Sequence, residues 1–247
     1  MNLHPIADRE TAARAAADLL ARAAAGRPEL VLGLPTGRTM VPFYAELARR
    51  RREGRLDLSR ARGFNLDELL LPPGHPASFR AFMERHAWGP DLAGLDPARC
   101  DIPDAAAEPA AECARYDRAI AAAGGLDLAL LGVGADGHVA YNLPGPPRDE
   151  THVVRVPDEV AATLDPPVAP PLGAITMGLG PLRSARHLVL IATTAEKWEA
   201  VRALLEGPPD PAWPCSLLRD HPRFDLFLAA PAIAGATLVE AEPAGVR

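Results

Sequence analysis

Short apolar runs alternate with stretches of helical spacing along this chain, and that alternation constrains the fold more than any other feature. Leu126-Asp127-Leu128-Ala129-Leu130-Leu131 reads as a buried strand, stopped by Gly132-Val133-Gly134. Residues 29–34, 187–193 and 224–228 read the same way. Residues 62–66 are a weaker strand candidate, and 174–177 a strand or strand entry. Between them, residues 9–25, 40–51, 76–87, 105–123, 179–185 and 195–206 read as helices, the first from its strong helix formers and its apolar face. The pattern predicts an α/β fold with a mostly parallel sheet covered on both faces. The Pro- and charge-rich stretch 144–171 is expected to be mostly loop. No internal repeat or linker divides the 247 residues, so residues 1–247 are read as a single domain large enough to bury one core.

Composition narrows the function classes. The net charge is -6, and no Lys/Arg-rich run is of the kind that coats nucleic acid. Arg49 to Arg52 ends an expected helix, where cations complement the helix dipole. No apolar run is long enough to cross a bilayer, and the N-terminus lacks the pattern of a signal peptide. Three cysteines, at 100, 113 and 215, form neither a disulfide framework nor a zinc pattern, and such usage fits a reducing cytoplasm.

In open parallel sheets, ligands bind beyond the C-terminal ends of strands. Three segments occupy such positions. Gly33-Leu34-Pro35-Thr36-Gly37-Arg38-Thr39 joins a strand to a helix, where backbone N–H groups, the Thr36 and Thr39 hydroxyls and the Arg38 charge suit an anion. It reads equally as an ordinary turn with Thr39 as N-cap. Phe64-Asn65-Leu66-Asp67-Glu68 carries two adjacent carboxylates, either a general base or an acidic helix cap. In Gly132-Val133-Gly134-Ala135-Asp136-Gly137-His138, a carboxylate two residues from an imidazole can orient it for proton transfer near neutral pH. Lys197 opens a helix directly after a strand; there it is either a partner for a bound anion or a solvated lysine. No P-loop, dinucleotide fingerprint or metal-ligand cluster stands out.

Taken in order, these segments resemble the glucosamine-6-phosphate deaminase (isomerase) family, whose superfamily also holds 6-phosphogluconolactonases. The resemblance rests on LGLPTGRT at 32–39, FNLDEL at 64–69, HPASFRAFM at 75–83, LLGVGADGHVAYN at 130–142 and THVV at 151–154. It continues in AITMGLGPL at 174–182, EKWEAVRALLEG at 196–207 and HP at 221–222. It implies a three-layer α/β/α Rossmann-like domain acting on a small sugar phosphate. The implied reaction opens the ring of an amino-sugar phosphate, moves a proton between C2 and C1, and releases ammonia, formally as a hydrolase. By matching position, Asp67 would be the general base, His138 would assist ring opening, and Asp136 would orient His138. Thr36, Gly37, Arg38 and Thr39 would line the phosphate loop with Lys197 as cationic partner, and Glu68 and Gly134 join the substrate-binding set. The family needs neither metal nor organic cofactor. Its members range from monomer to hexamer, which leaves a homo-oligomer open.

Three departures stand out. Where the family continues Asn-Glu-Pro-Gly, this chain has Asn142-Leu143-Pro144-Gly145, so a leucine replaces a ring-opening glutamate. The family's Ser-Arg-Thr before the THVV-like strand is here Asp149-Glu150-Thr151. Its Ala-Asn-Ser-Arg-Phe-Phe segment corresponds to residues near 161–167, which hold no arginine. Two alternatives therefore stay beside the deaminase: a sugar-phosphate binder without turnover, and a sugar-phosphate lactone hydrolase.

Overall fold

The computed structural model describes residues 1–229. The chain begins with strand β1 (Asn2–Ile6) and helix α1 (Arg9–Gly26), followed by β2 (Val31–Leu34), α2 (Val41–Arg52), β3 (Arg62–Asn65) and β4 (Asp67–Leu69). Next come α3 (Phe79–His86), β5 (Cys100–Asp101), α4 (Pro109–Ala122), β6 (Leu128–Leu131), β7 (His152–Val156) and α5 (Asp158–Ala161). The last are β8 (Leu172–Thr176), α6 (Leu179–Arg183), β9 (Leu188–Ala192), α7 (Trp198–Leu205) and β10 (Phe224–Ala229). Short 3-10 turns at Arg38–Met40 and Ala195–Lys197 lead into α2 and α7.

Seven strands form one sheet in the order β1-β10-β9-β6-β2-β3-β5, every neighbouring pair parallel. Its alternating side chains divide between two cores. Leu32, Leu34, Leu128, Leu130, Val189 and Ile191 pack with buried residues of α1 and α2. Val31, Ala129, Leu131, Leu188, Leu190 and Leu226 pack with α4, α6 and α7 on the other face. The expected α/β/α layering is therefore present, and the strands read as near-continuous apolar runs because both faces are buried. The chain travels outward from β2 through β3 to β5, then returns to β6 and travels the other way. The strand order thus reverses between β2 and β6, which opens a crevice at their C-terminal ends.

Residues 144–171 are mostly loop, as expected, but β7 and the single-turn α5 lie within them. β7 is the edge of a second sheet, ordered β4-β8-β7 and antiparallel. Its residues alternate between half-buried and exposed, so they carry no apolar run to announce them. The strand expected at 174–177 lies in this small sheet rather than beside the parallel strands. The chain changes sheets at Leu66, whose N–H donates to the Leu34 carbonyl (3.1 Å) while its own carbonyl accepts from the Met177 N–H (2.7 Å). Asp67 is left at the corner between the two sheets.

The Arg49–Arg52 run ends α2 as expected, and two of its members are spent locally. Arg49 bonds Glu46 and Glu53, and Arg50 bonds Glu46 and Asp18. The N-terminal strand, which contains Pro5, is an edge strand, where a missing N–H is tolerated. It is clamped by the buried Asp225 of β10, whose carboxylate meets the His4 Nε2 at 2.6 Å, the His187 Nε2 at 2.5 Å and the Asn2 amide at 3.2 Å. Replacing Asp225→Ala strips three side chains of a shared partner. The expected cost is about 1–3 kcal/mol in chemical denaturation, with faster amide exchange in β1. Unchanged stability and exchange would show that the clamp holds nothing.

Candidate active site

The crevice at the strand-order reversal is a cavity of about 310 Å³, within the range of small-molecule clefts. Four loop segments converge on it. After β2, residues 35–40 form its floor, and the Pro35 carbonyl is held by the Tyr44 hydroxyl at 2.8 Å. Gly37 adopts φ +100°, a conformation that side chains disfavour and glycine accepts, where the loop turns into the helix. After β3 come Leu66 and Asp67; after β6 come Gly132, Val133, His138, Ala140 and Tyr141. From beyond α5, Thr163, Leu164 and Asp165 complete the lining.

Asp67 is buried, and no donor among the described residues bonds its carboxylate. Loss of water, reinforced by the adjacent Glu68 charge, pushes its pKa up to about 8. Its neighbour is used differently. The Glu68 carboxylate accepts from the N–H groups of Leu69 (2.8 Å), Phe79 (2.7 Å) and Arg80 (2.9 Å), so it caps α3 rather than lining the cavity. The two readings of the Asp67-Glu68 pair are both realised, one by each residue: a carboxyl free for chemistry and a helix cap.

His138 is a quarter exposed, and its Nδ1 lies 2.7 Å from the Asp136 Oδ1. Partial burial works against ionisation of Asp136, but the His138 ring and backbone outweigh it and hold the carboxyl below its ordinary value. Asp136 is the one carboxylate bonded to that ring among the described residues. The His138 ring lies nearly parallel to Tyr141 (6.0 Å), which in turn stacks on Phe79 (6.1 Å), so one aromatic wall links the imidazole to α3. Gly134 does not line the cavity; a Cβ there would collide with both the His138 ring and the Asp136 carboxylate. Strain collects nearby. Ala140 adopts φ +51°, and the fully buried Asn65 amide has no partner.

The structure thus brings together Thr36, Gly37, Arg38, Thr39, Asp67 and His138 around one cavity, with Asp136 behind the histidine. It does not bring Lys197 there. That residue sits on the turn after β9, with its Nζ 3.6 Å from Glu196 and outside the lining. Leu143 is half-buried against the apolar cluster of the small sheet and also lies outside the lining. Sequence reading missed Phe82, Arg85 and Asp165. The first two could have been found, because Phe79, Phe82 and Arg85 recur at helical spacing on one face of α3. Among the described residues, no group of three or more His, Cys, Asp or Glu side chains could hold a metal ion. None of the described helices is long and apolar enough to cross a membrane.

Comparison with known proteins identifies the family and the fold. The family described as glucosamine-6-phosphate isomerases/6-phosphogluconolactonase matches residues 7–226. The chain is 44% identical to a glucosamine-6-phosphate deaminase of Pseudarthrobacter chlorophenolicus, over 84% of this chain and 82% of that protein. It is 38% identical to the same-named protein of Cellvibrio japonicus, over 90% and 86%. Among solved structures, a protein described as a monomeric glucosamine-6-phosphate deaminase superposes with a TM-score of 0.87 at 30% identity, over 95% of this chain and 99% of that one. A 6-phosphogluconolactonase from Trypanosoma cruzi shares the fold, with a TM-score of 0.78 at 17% identity over 96% and 97%.

The clearance at Gly134 gives a direct test. Gly134→Ala should separate His138 from Asp136 beyond hydrogen-bond distance in a crystal structure, and should cost about 1–3 kcal/mol through overpacking. An intact pair in the variant would contradict the assigned role of the glycine.

Proposed function

The chain belongs to the glucosamine-6-phosphate isomerase/6-phosphogluconolactonase family, and on that premise we propose that it is a glucosamine-6-phosphate deaminase. The observation that carries this reading is the buried carboxyl of Asp67, unpartnered among the described residues, facing the same cavity as the His138–Asp136 pair. Glucosamine 6-phosphate and one water become fructose 6-phosphate and ammonia. His138, steadied at Nδ1 by Asp136, moves the proton between the sugar's anomeric hydroxyl and ring oxygen, and the ring opens to the aldehyde. Asp67 then takes the proton from C2, made acidic by that carbonyl, and returns it to C1. The resulting C2 imine is hydrolysed by water, which leaves the ketone and releases the amine. A base whose pKa lies near the working pH suits this proton traffic. Thr36, Gly37, Arg38 and Thr39 bind the phosphate in this scheme. Leu143 carries no charge, so ring opening relies on Asp136 as the carboxylate partner of His138.

We treat residues 1–247 as one catalytic domain, since segments drawn from residues 35 to 165 build one cavity. A cytoplasmic setting is in keeping with three unpaired cysteines.

The assay is ammonia release with formation of fructose 6-phosphate, run beside 6-phosphogluconolactone as the competing substrate. Asp67→Asn should lower kcat by roughly 10²–10⁴-fold. Turnover of the lactone alone would overturn the reading. Because the base must be ionised, kcat/KM should rise with pH and level off only above about 8. The same shift has a stability sign. Below the ordinary value of 3.8, folded and unfolded chains both hold the proton; between there and about 8, only the folded chain does, so rising pH costs stability. Asp67→Asn removes that cost. Its Tm should match the wild type at about pH 4 and exceed it at about pH 9.

A further inference from the structure

We propose that Arg85, carried into the cavity by α3, is a phosphate-binding residue that works as a pair with Arg38. The charge inventory of the cavity leads there. Its described lining contains six ionisable side chains: Arg38, Asp67, Arg85, His138, Tyr141 and Asp165. Arg38 and Arg85 are the two among them with a permanent positive charge. A phosphate ester carries nearly two negative charges at neutral pH, and planar guanidinium groups match its oxygens with paired donors. The segment after α5 contributes Thr163, Leu164 and Asp165, and its carboxylate would repel a phosphate. Lys197 lies outside the lining, and Arg80, the other cation facing out from α3, rests over the Trp88 ring at 5.6 Å.

The placement of Arg85 is built into the fold. Phe79, Phe82 and Arg85 share the face of α3 that lines the cavity. The helix is pinned at its start by Glu68, through the N–H groups of Phe79 and Arg80, and by Ser78, whose hydroxyl accepts from the Ala81 N–H at 3.1 Å. Glu68 adjoins Asp67, so the anchored end of α3 is the end nearest the base. Arg85 stands six residues beyond Phe79, about 9 Å further along the helix axis. A hexose 6-phosphate likewise carries its reacting carbons at one end and its phosphate at the other. Glu68 is thereby a positioning residue for Arg85, held apart from the chemistry.

The identity of the anion rests on the sugar-phosphate reading above, and binding measurements separate the two claims. Fructose 6-phosphate and inorganic phosphate would be titrated calorimetrically into the wild type, Arg85→Gln and Arg85→Lys, with thermal melts alongside. Arg85→Gln should weaken both ligands by about 10- to 100-fold, and should raise KM for glucosamine 6-phosphate by a similar factor with kcat nearly unchanged. Arg85→Lys, which keeps the charge but loses the fork, should fall between. Selective binding lost in Arg85→Gln, in a protein that releases no ammonia, would uphold this assignment while ending the deaminase reading. Wild-type affinity in Arg85→Gln would overturn it. So would loss of phosphate binding in Lys197→Gln but not in Arg85→Gln, or a kcat loss without a KM change.

Discussion

The architecture of this site depends on one costly arrangement, a carboxyl buried at the corner between two sheets with no hydrogen-bond partner among the described residues. Taking a carboxylate out of water is unfavourable unless donors replace the solvent, and none of the described residues donates to Asp67. The fold holds it there by bonding the backbone on either side. Leu66 is shared between β2 and the strand end at Met177, while Glu68 is occupied by the start of α3. Neighbouring acidic residues thus have opposite fates. Glu68 is satisfied and structural, and Asp67 is left with its proton affinity raised and its face to the cavity.

Around that carboxyl, the parallel sheet supplies geometry and the small antiparallel sheet supplies closure. Reversal of strand order between β2 and β6 places three loop ends side by side, each carrying one chemical element. The turn after β2 brings polar groups and Arg38, the end of β3 brings Asp67, and the turn after β6 brings His138 with Asp136. The small sheet keeps Tyr141 in register, since the Thr176 hydroxyl accepts its N–H at 3.0 Å, and Tyr141 backs the imidazole. Positive charge lies on α2's leading turn and on α3, separated from the base. An enzyme that must bind a dianion and remove a proton in the same space benefits from that division.

Much of this was legible in the sequence because the physics is local. The parallel strands announce themselves as apolar runs, since both faces are buried, and the loop glycines mark where those runs end. Asp67, Asp136 and His138 could be singled out because each lies within a few residues of a strand's C-terminal end. The pairing of the small sheet was less legible: β8 was read as a strand or strand entry but not as part of a second sheet, and β7 is flanked by prolines and charges and gains its order from pairing with β8. β1 contains a proline and draws its stability from Asp225, more than two hundred residues away. Arg85 was hidden because its role depends on where α3 docks, and the docking is set by Glu68. A carboxylate that looks like substrate machinery in the sequence is, in three dimensions, the peg on which that helix hangs.

The central claim is that burial, reinforced by the neighbouring Glu68 charge, makes Asp67 a base poised near neutrality. A carbon-detected NMR titration of the ligand-free protein measures this directly, with the Asp67 carboxyl identified by its disappearance in Asp67→Asn. The account predicts a midpoint near 8, far above the ordinary 3.8. A midpoint within the usual carboxylate range of about 3–5 would contradict it, and would mean that water or an unseen donor satisfies Asp67 before any substrate arrives.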